Sequence, residues 1–244
     1  MQLSGHLAFL ASLGIARALD PGCAPGGNFD LSKWELQLPI GNGSPMIVQP
    51  AQLIGCGGYQ DPGHHYFFTE SGDGALVMKA PGTPSKTGCV KFAESQHCRT
   101  ELGEKATWSP NTGTNRLFMD LVGTNVHSIV IGQVFQAESG FNKPFAELYY
   151  GSDGSIKFGT ALAAAGGAGQ DLQPLGTVPV GTRFTYEVRF ENGQLLARIN
   201  NNGFTTLRTY FTTPKAFFKA GNYNQDLSTT DTGDIHVFQL TITH

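Results

Sequence analysis

Turn signals recur at short, even intervals along this chain, and between them apolar and polar residues alternate. Ser71-Gly72-Asp73-Gly74 separates "HYFFTE" from "GALVMKAP", and Asn192-Gly193 splits "RFTYEVRFENGQLLARINNNG" into two arms. Asparagine and glycine supply the positive φ that a tight strand reversal requires, so both read as hairpins. "NFDLSKWELQLPIG" reads as an entry strand ending at Pro39. "HCRTELGE", "NRLFMDLVG", "NVHSIVIGQVFQ", "PFAELYYG", "SIKFGTAL" and "DIHVFQLTIT" follow as further strands, with "AAAGGAGQD" a low-complexity loop. Short strands at regular spacing predict an all-β fold, a sandwich or jelly roll, in which one face of the concave sheet packs the core and the other can line an open groove. The 32 glycines and the low charged fraction of 14% agree. No linker or repeat interrupts the pattern, so residues 19–244 read as a single domain.

Residues 1–18 read as a secretory signal peptide. Leu7 to Ile15 is a short apolar run, followed by the small-x-small pattern Ala16-Arg17-Ala18. The run is too short to span a bilayer. A secreted, extracellular and monomeric protein without a membrane partner is expected. Cys23, Cys56, Cys89 and Cys98 form an even set, which in a secreted chain predicts two disulfides. Cys89 and Cys98 bracket the short loop "CVKFAESQHC" and are expected to pair, leaving Cys23 with Cys56. No CxxC spacing supports zinc. The net charge of −3 gives no basic excess for nucleic acid, although a locally basic cleft can still bind a polyanion.

Alternation places unusual groups on strand faces. In "AFFKAGNYNQD", Phe217, Lys219, Gly221, Tyr223 and Gln225 share one face. In "QHCRTELGE", His97, Arg99 and Glu101 share one. In "VHSIVIGQVF", His127, Ile129, Ile131, Gln133 and Phe135 share one. Three such strands side by side would gather cations, amides, a carboxylate and a phenol. The competing explanation is the solvated outer face that antiparallel sheets commonly carry.

"RTEL" (Arg99–Leu102), "IGQVF" (Ile131–Phe135) and "FFKAGNYNQ" (Phe217–Gln225) resemble the three signature strands of alginate-lyase-like polysaccharide lyases. Those signatures run R-S/T-E-L-R, Q-I/V-H and Y-F-K-A-G-x-Y-x-Q. "FDLSKWELQLPIG" and "YFFTESGDGALVMKAPGTPSKTGCVKFAESQHCRTE" are most similar to the fungal glucuronan lyases of this kind. The resemblance implies an all-β fold, a β-jelly roll sandwich of two antiparallel sheets with a concave substrate groove, and β-elimination on a (1→4)-linked polyuronate, with β-1,4-glucuronan first and mannuronate-rich alginate second. It implies that Arg99 and Gln133 neutralise the uronate carboxylate and that Tyr223 is the catalytic base. Lys219, Gln225, Glu101, His97 and His127 are expected to bind the sugar or position these groups. A free phenol titrates near ~10, so a tyrosine base needs cations nearby. Gly221 is expected to leave room for a sugar ring. This chemistry requires no cofactor, and loop Asp and Asn residues leave a structural calcium open, without EF-hand spacing.

Three positions depart from the signatures: Phe135 replaces the histidine, Gly103 the second arginine, and Phe217 the first tyrosine. In guluronate, H5 and O4 lie on opposite ring faces, so two groups must act. In mannuronate and glucuronate they lie on one face, and one tyrosine can serve as base and acid. Phe135 therefore argues for a syn elimination. A glycoside hydrolase would need two flanking carboxylates, and only Glu101 is on offer. A non-catalytic lectin-like module would not need Tyr223 beside two cations.

Overall fold

A computed structural model of the protein describes residues 18–138 and 143–244. The expected signal peptide therefore lies outside the described residues, apart from Ala18. Two antiparallel sheets face each other, as the alternation predicts. The groove sheet runs, in spatial order, β10 (Gln170–Thr177), β9 (Ser155–Ala161), β8 (Pro144–Gly151), β7 (Ser128–Gln136), β14 (Ala216–Asn224), β5 (Arg99–Glu104), β1 (Trp34–Gly41) and β2 (Pro45–Val48). The outer sheet runs β13 (Thr205–Thr206), β12 (Gln194–Ile199), β11 (Phe184–Glu191), β6 (Thr114–Asn125), β15 (Gly233–Thr243), β4 (Leu76–Ala80) and β3 (Phe67–Thr69). Leu36, Leu102, Phe218 and Ile131 from the first sheet pack against Met119, Tyr186, Val188 and Val237 from the second. No helix among the described residues is long and apolar enough to cross a membrane.

Two details differ from the sequence reading. β1 continues through Pro39 to Gly41, because the ladder is already irregular between Leu38 and Gly41, where a missing N–H costs little. β10 is a strand despite Pro174, since it lies at the sheet edge and its register shifts between Pro174 and Gly176.

The irregularity that matters most is at Ile131. Against β8, β7 carries one extra residue there: Val130 pairs with Tyr149 and Gly132 with Leu148. Against β14, Ala220 and Tyr223 pair with Gly132 and Val130, so Gly221 and Asn222 together oppose Ile131. These bulges shift the phase of β7 by one residue. Ile129 and Ile131 turn into the core, while Gln133 and Phe135 turn into the groove. The expected shared face of His127, Ile129, Ile131 and Gln133 is thus broken. The bulged carbonyl of Ile131 accepts the Tyr186 hydroxyl at 2.8 Å, so it is not left unpaired.

Both expected disulfides are present, Cys23–Cys56 and Cys89–Cys98. The second closes the loop that precedes β5 and carries Phe92, Glu94 and Ser95 to the groove. On the convex face, Glu187 of β11 accepts hydrogen bonds from Arg116, Arg189 and Arg198 at 2.6, 2.7 and 2.6 Å. Burial alone would raise its carboxyl, but the three guanidinium groups outweigh burial and hold it down at about 2. A carboxylate whose folded value is depressed stabilises the fold above its unfolded value near about 4.3 and loses that stabilisation as pH falls. We expect Glu187→Gln to lower the melting temperature at pH 7 and to flatten its acid dependence between about pH 4.3 and about pH 2. Thermal melts across that window check this.

Candidate active site

β7, β14, β5 and β1 lie side by side, so the residues that face outward from them form one floor. Tyr223 pairs with Arg99, Gly221 with Glu101, and Lys219 with both Gly103 and Gln133. The alternation in "AFFKAGNYNQD" holds: Phe217, Lys219, Tyr223 and Gln225 line a cleft of about 460 Å³. Arg99, Gln133, Phe135, Glu147, Gln37 and Ser95 line it too.

Glu101 lies beneath this floor and is fully buried. Its Oε1 accepts an N–H from Gln133. Its Oε2 accepts from Arg99 Nη1 at 3.2 Å and from Lys219 Nζ at 3.4 Å. One carboxylate thus holds the two central cations and the amide. The Glu101 side chain does not open onto the groove, so it is an anchor and not a sugar contact. Burial pushes the Lys219 amine below its usual range, and the charge of Glu101 opposes that shift. Lys219 Nζ also reaches Gln37 Oε1 at 3.3 Å and lies 4.6 Å from the centre of the Phe135 ring. Phe135 in turn packs on Phe217 at 5.3 Å. An aromatic ring accepts a cation on its face, where a protonated histidine would repel it.

Arg99 turns its guanidinium onto the Tyr223 ring, 3.7 Å from the centroid. The Tyr223 hydroxyl is 2.9 Å from Ser95 Oγ. Ser95 also receives Arg99 Nη2 at 3.2 Å and the His97 backbone N–H at 3.1 Å, and it donates to the His97 carbonyl at 3.1 Å. A hydroxyl has a single hydrogen, so Ser95 can direct it to that carbonyl or to a phenolate. Sequence reasoning missed Ser95 because nothing in a polar loop marks one serine; only the neighbouring disulfide shows that the loop is held.

The expected histidines stand apart from the floor. His97 packs edge-on against Tyr223 at 5.8 Å, and burial, then Arg99, lowers its pKa. It does not line the cleft. His127 precedes the bulge and faces Asp231 at 3.1 Å. Gly221 also differs from expectation. Its φ of +147° falls where glycine is favoured, and a Cβ there would meet the Thr100 carbonyl at 2.6 Å and Met78 at 2.7 Å. Its role is to form the bulge, not to clear space for a sugar. The inward neighbours Asn222 and Asn224 donate across to the carbonyls of Met78 and Ala80 in β4, at 3.1 and 3.0 Å. Among the described residues, no three His, Cys, Asp or Glu side chains cluster as a metal ion would require.

The sequence profile of the alginate lyases matches residues 29–244. The chain belongs to the alginate lyase family. Its fold agrees with solved lyases of that kind. A variant of the family 7 alginate lyase A1-II′, in complex with product (GGG), superposes with a TM-score of 0.77 at 25% identity, over 91% of this chain and 99% of that one. The alginate lyase from Corynebacterium sp. gives 0.73 at 20% identity, over 91% and 99%. The alginate lyase PA1167 from Pseudomonas aeruginosa gives 0.73 at 22% identity, over 88% and 99%. Among curated proteins, no sequence matches the chain. The lyase thus carries the jelly roll that the resemblance implied, with a polar floor on the concave sheet.

Removing the anchor tests the arrangement. Glu101→Ala would leave Arg99 and Lys219 as buried charges without their carboxylate, and breaking a buried pair costs about 3–5 kcal/mol. Urea denaturation should show a loss of that order. Glu101→Gln should lose less, because the amide still accepts one hydrogen bond.

Proposed function

We propose that the lyase is secreted and cleaves a (1→4)-linked polyuronate by β-elimination, with β-1,4-glucuronan as first substrate and mannuronate-rich alginate as second. The observation that carries this reading is the convergence of Tyr223, Arg99 and Gln133 on one floor, with Phe135 at the position of the signature histidine.

The C5 proton is α to a carboxylate and barely acidic. Removing it places a second negative charge beside the first. Preorganised donors lower that barrier best. Arg99 and Gln133 are held by Glu101 before substrate arrives, so little reorganisation is needed. Gln133 uses one N–H on Glu101 and retains a second for the sugar carboxylate. Tyr223 takes the C5 proton, while the guanidinium against its ring and the Ser95 hydroxyl stabilise the phenolate. The C4–O4 bond then breaks, the electron pair leaves with O4, and a C4–C5 double bond forms. In glucuronate and mannuronate O4 lies on the face from which H5 leaves, so the Tyr223 hydroxyl can return its proton to O4. Phe135 offers no second proton carrier on β7, which supports the syn course. The similarity of "FDLSKWELQLPIG" to fungal glucuronan lyases favours glucuronan over mannuronate.

The test is ultraviolet absorbance of the unsaturated product after separate incubation with glucuronan, polymannuronate and polyguluronate. We expect a rise with glucuronan and a smaller or equal rise with polymannuronate. A rise with polyguluronate alone would contradict the syn argument. Binding without any rise would point to a lectin-like protein.

A further inference from the structure

Glu147 of β8 lines the same groove, and none of the three signature strands contains it. It is 6% exposed and lies directly opposite Gln133 in the β7–β8 ladder. Side chains so paired on one face are about 4.5–5.5 Å apart at Cβ. Its two oxygens differ. Oε2 accepts Gln170 Nε2 at 2.5 Å and lies 2.9 Å from the Tyr149 hydroxyl, whose one hydrogen also has Gln170 Oε1 within 2.9 Å. Oε1 has no protein partner among the described residues. No ion pair joins Glu147 to a lysine or arginine among them either.

The charge balance of the groove sharpens the question. Arg99, Lys143 and Lys219 line it, against Glu35, Glu94 and Glu147, with Glu101 just beneath. Fully ionised, the cleft would carry more carboxylates than cations and would repel a polyanion. Glu35 is compensated by Lys105 at 2.8 Å from outside the cleft, and Glu101 by the pair it anchors. Glu147 has no such partner.

We propose that Glu147 binds substrate as a neutral carboxylic acid, donating the proton on Oε1 to the uronate carboxylate that Gln133 also holds. The inference rests on the polyuronate reading above and names a further binding residue for it. The single Tyr149 hydrogen can go to Oε2 or to Gln170 Oε1, also at 2.9 Å; with it on Oε2 beside the Gln170 amide, the acid proton is left to Oε1, the oxygen open to the groove. Burial raises the carboxyl above the usual range, and the hydrogen bonds from Gln170 and Tyr149 only partly oppose it. The surroundings agree from each side. Gly159 faces it from β9, and neutral Gln133 and Gln170 face it from β7 and β10. Glu101 and Arg99 act on it from β5 in opposite senses. Tyr149 stays protonated, since burial and the adjacent carboxyl both push its phenol upward. Lys143 lines the cleft at the start of β8, and Lys219 is committed to Glu101.

As pH rises through the raised value, Glu147 ionises, loses its donor and repels the substrate. Calorimetric binding of saturated uronate oligomers to the Tyr223→Phe protein reads this without turnover. Affinity should fall by about tenfold or more as pH is raised above the ordinary glutamate value of about 4.3, as loss of a hydrogen bond to a charged group implies. In Tyr223→Phe with Glu147→Gln, whose amide donates at every pH, affinity should stay nearly flat. With Glu147→Ala it should be weak throughout. Identical pH curves with and without Glu147→Gln would overturn the inference. So would Glu147→Gln alone, in wild-type background, losing kcat by about a hundredfold or more with KM unchanged, as expected of proton-transfer acids. Absence of turnover in the wild type with these binding curves intact would instead overturn the lyase reading and leave the Glu147 assignment standing.

Discussion

One buried carboxylate organises the floor of the groove. Glu101 takes hydrogen bonds from Gln133, Arg99 and Lys219, on three adjacent strands. Without it, two cations would be desolvated side by side, which a protein interior does not tolerate. With it, the guanidinium of Arg99 is free to lie against the Tyr223 ring and to bind Ser95. The ammonium of Lys219 is drawn down between Glu101, Gln37 and the face of Phe135. These donors are oriented within the fold itself, so their ordering cost has been met during folding.

This arrangement depends on strand phase. β5 and β14 pair without interruption from Arg99 to Gly103, so their faces agree by simple alternation. β7 does not follow: its bulge at Ile131 is what turns Gln133 toward the groove while Ile129 and Ile131 fill the core. The positive φ of Gly221 and the hydroxyl of Tyr186 from the opposite sheet make that bulge acceptable. Asn222 and Asn224 reach the β4 backbone, which ties the two sheets under the same strand.

Much of this was legible before any coordinates. The polar face of "AFFKAGNYNQD" and the pairing of Arg99 with Glu101 follow from period-two alternation. The cysteine loop before β5 follows from spacing. What was not legible has a common cause. Counting by twos through "VHSIVIGQVF" assigns His127 and Ile131 to the groove, because a bulge is set by the neighbouring strands and leaves no sign in the run itself. Glu147 alternates correctly in "PFAELYYG", yet nothing local shows that it faces Gln133 without a cation. Ser95 gains meaning only from the Tyr223 hydroxyl, far away in the chain.

Membership in the alginate lyase family sets the reaction class, and the side chains that differ from its signatures carry the specificity argument. Phe135 is the most informative, since it trades a titratable ring for one that covers Lys219. In the proposed mechanism Tyr223 is the group that removes the C5 proton on this floor. Single-turnover elimination by Tyr223→Phe, compared with wild type on the polymer that the wild type cleaves, tests it most directly. We expect a rate lower by about 10²–10⁴, as removal of a general base implies, with oligomer affinity nearly unchanged. Elimination at close to the wild-type rate would contradict it and require another base on the floor.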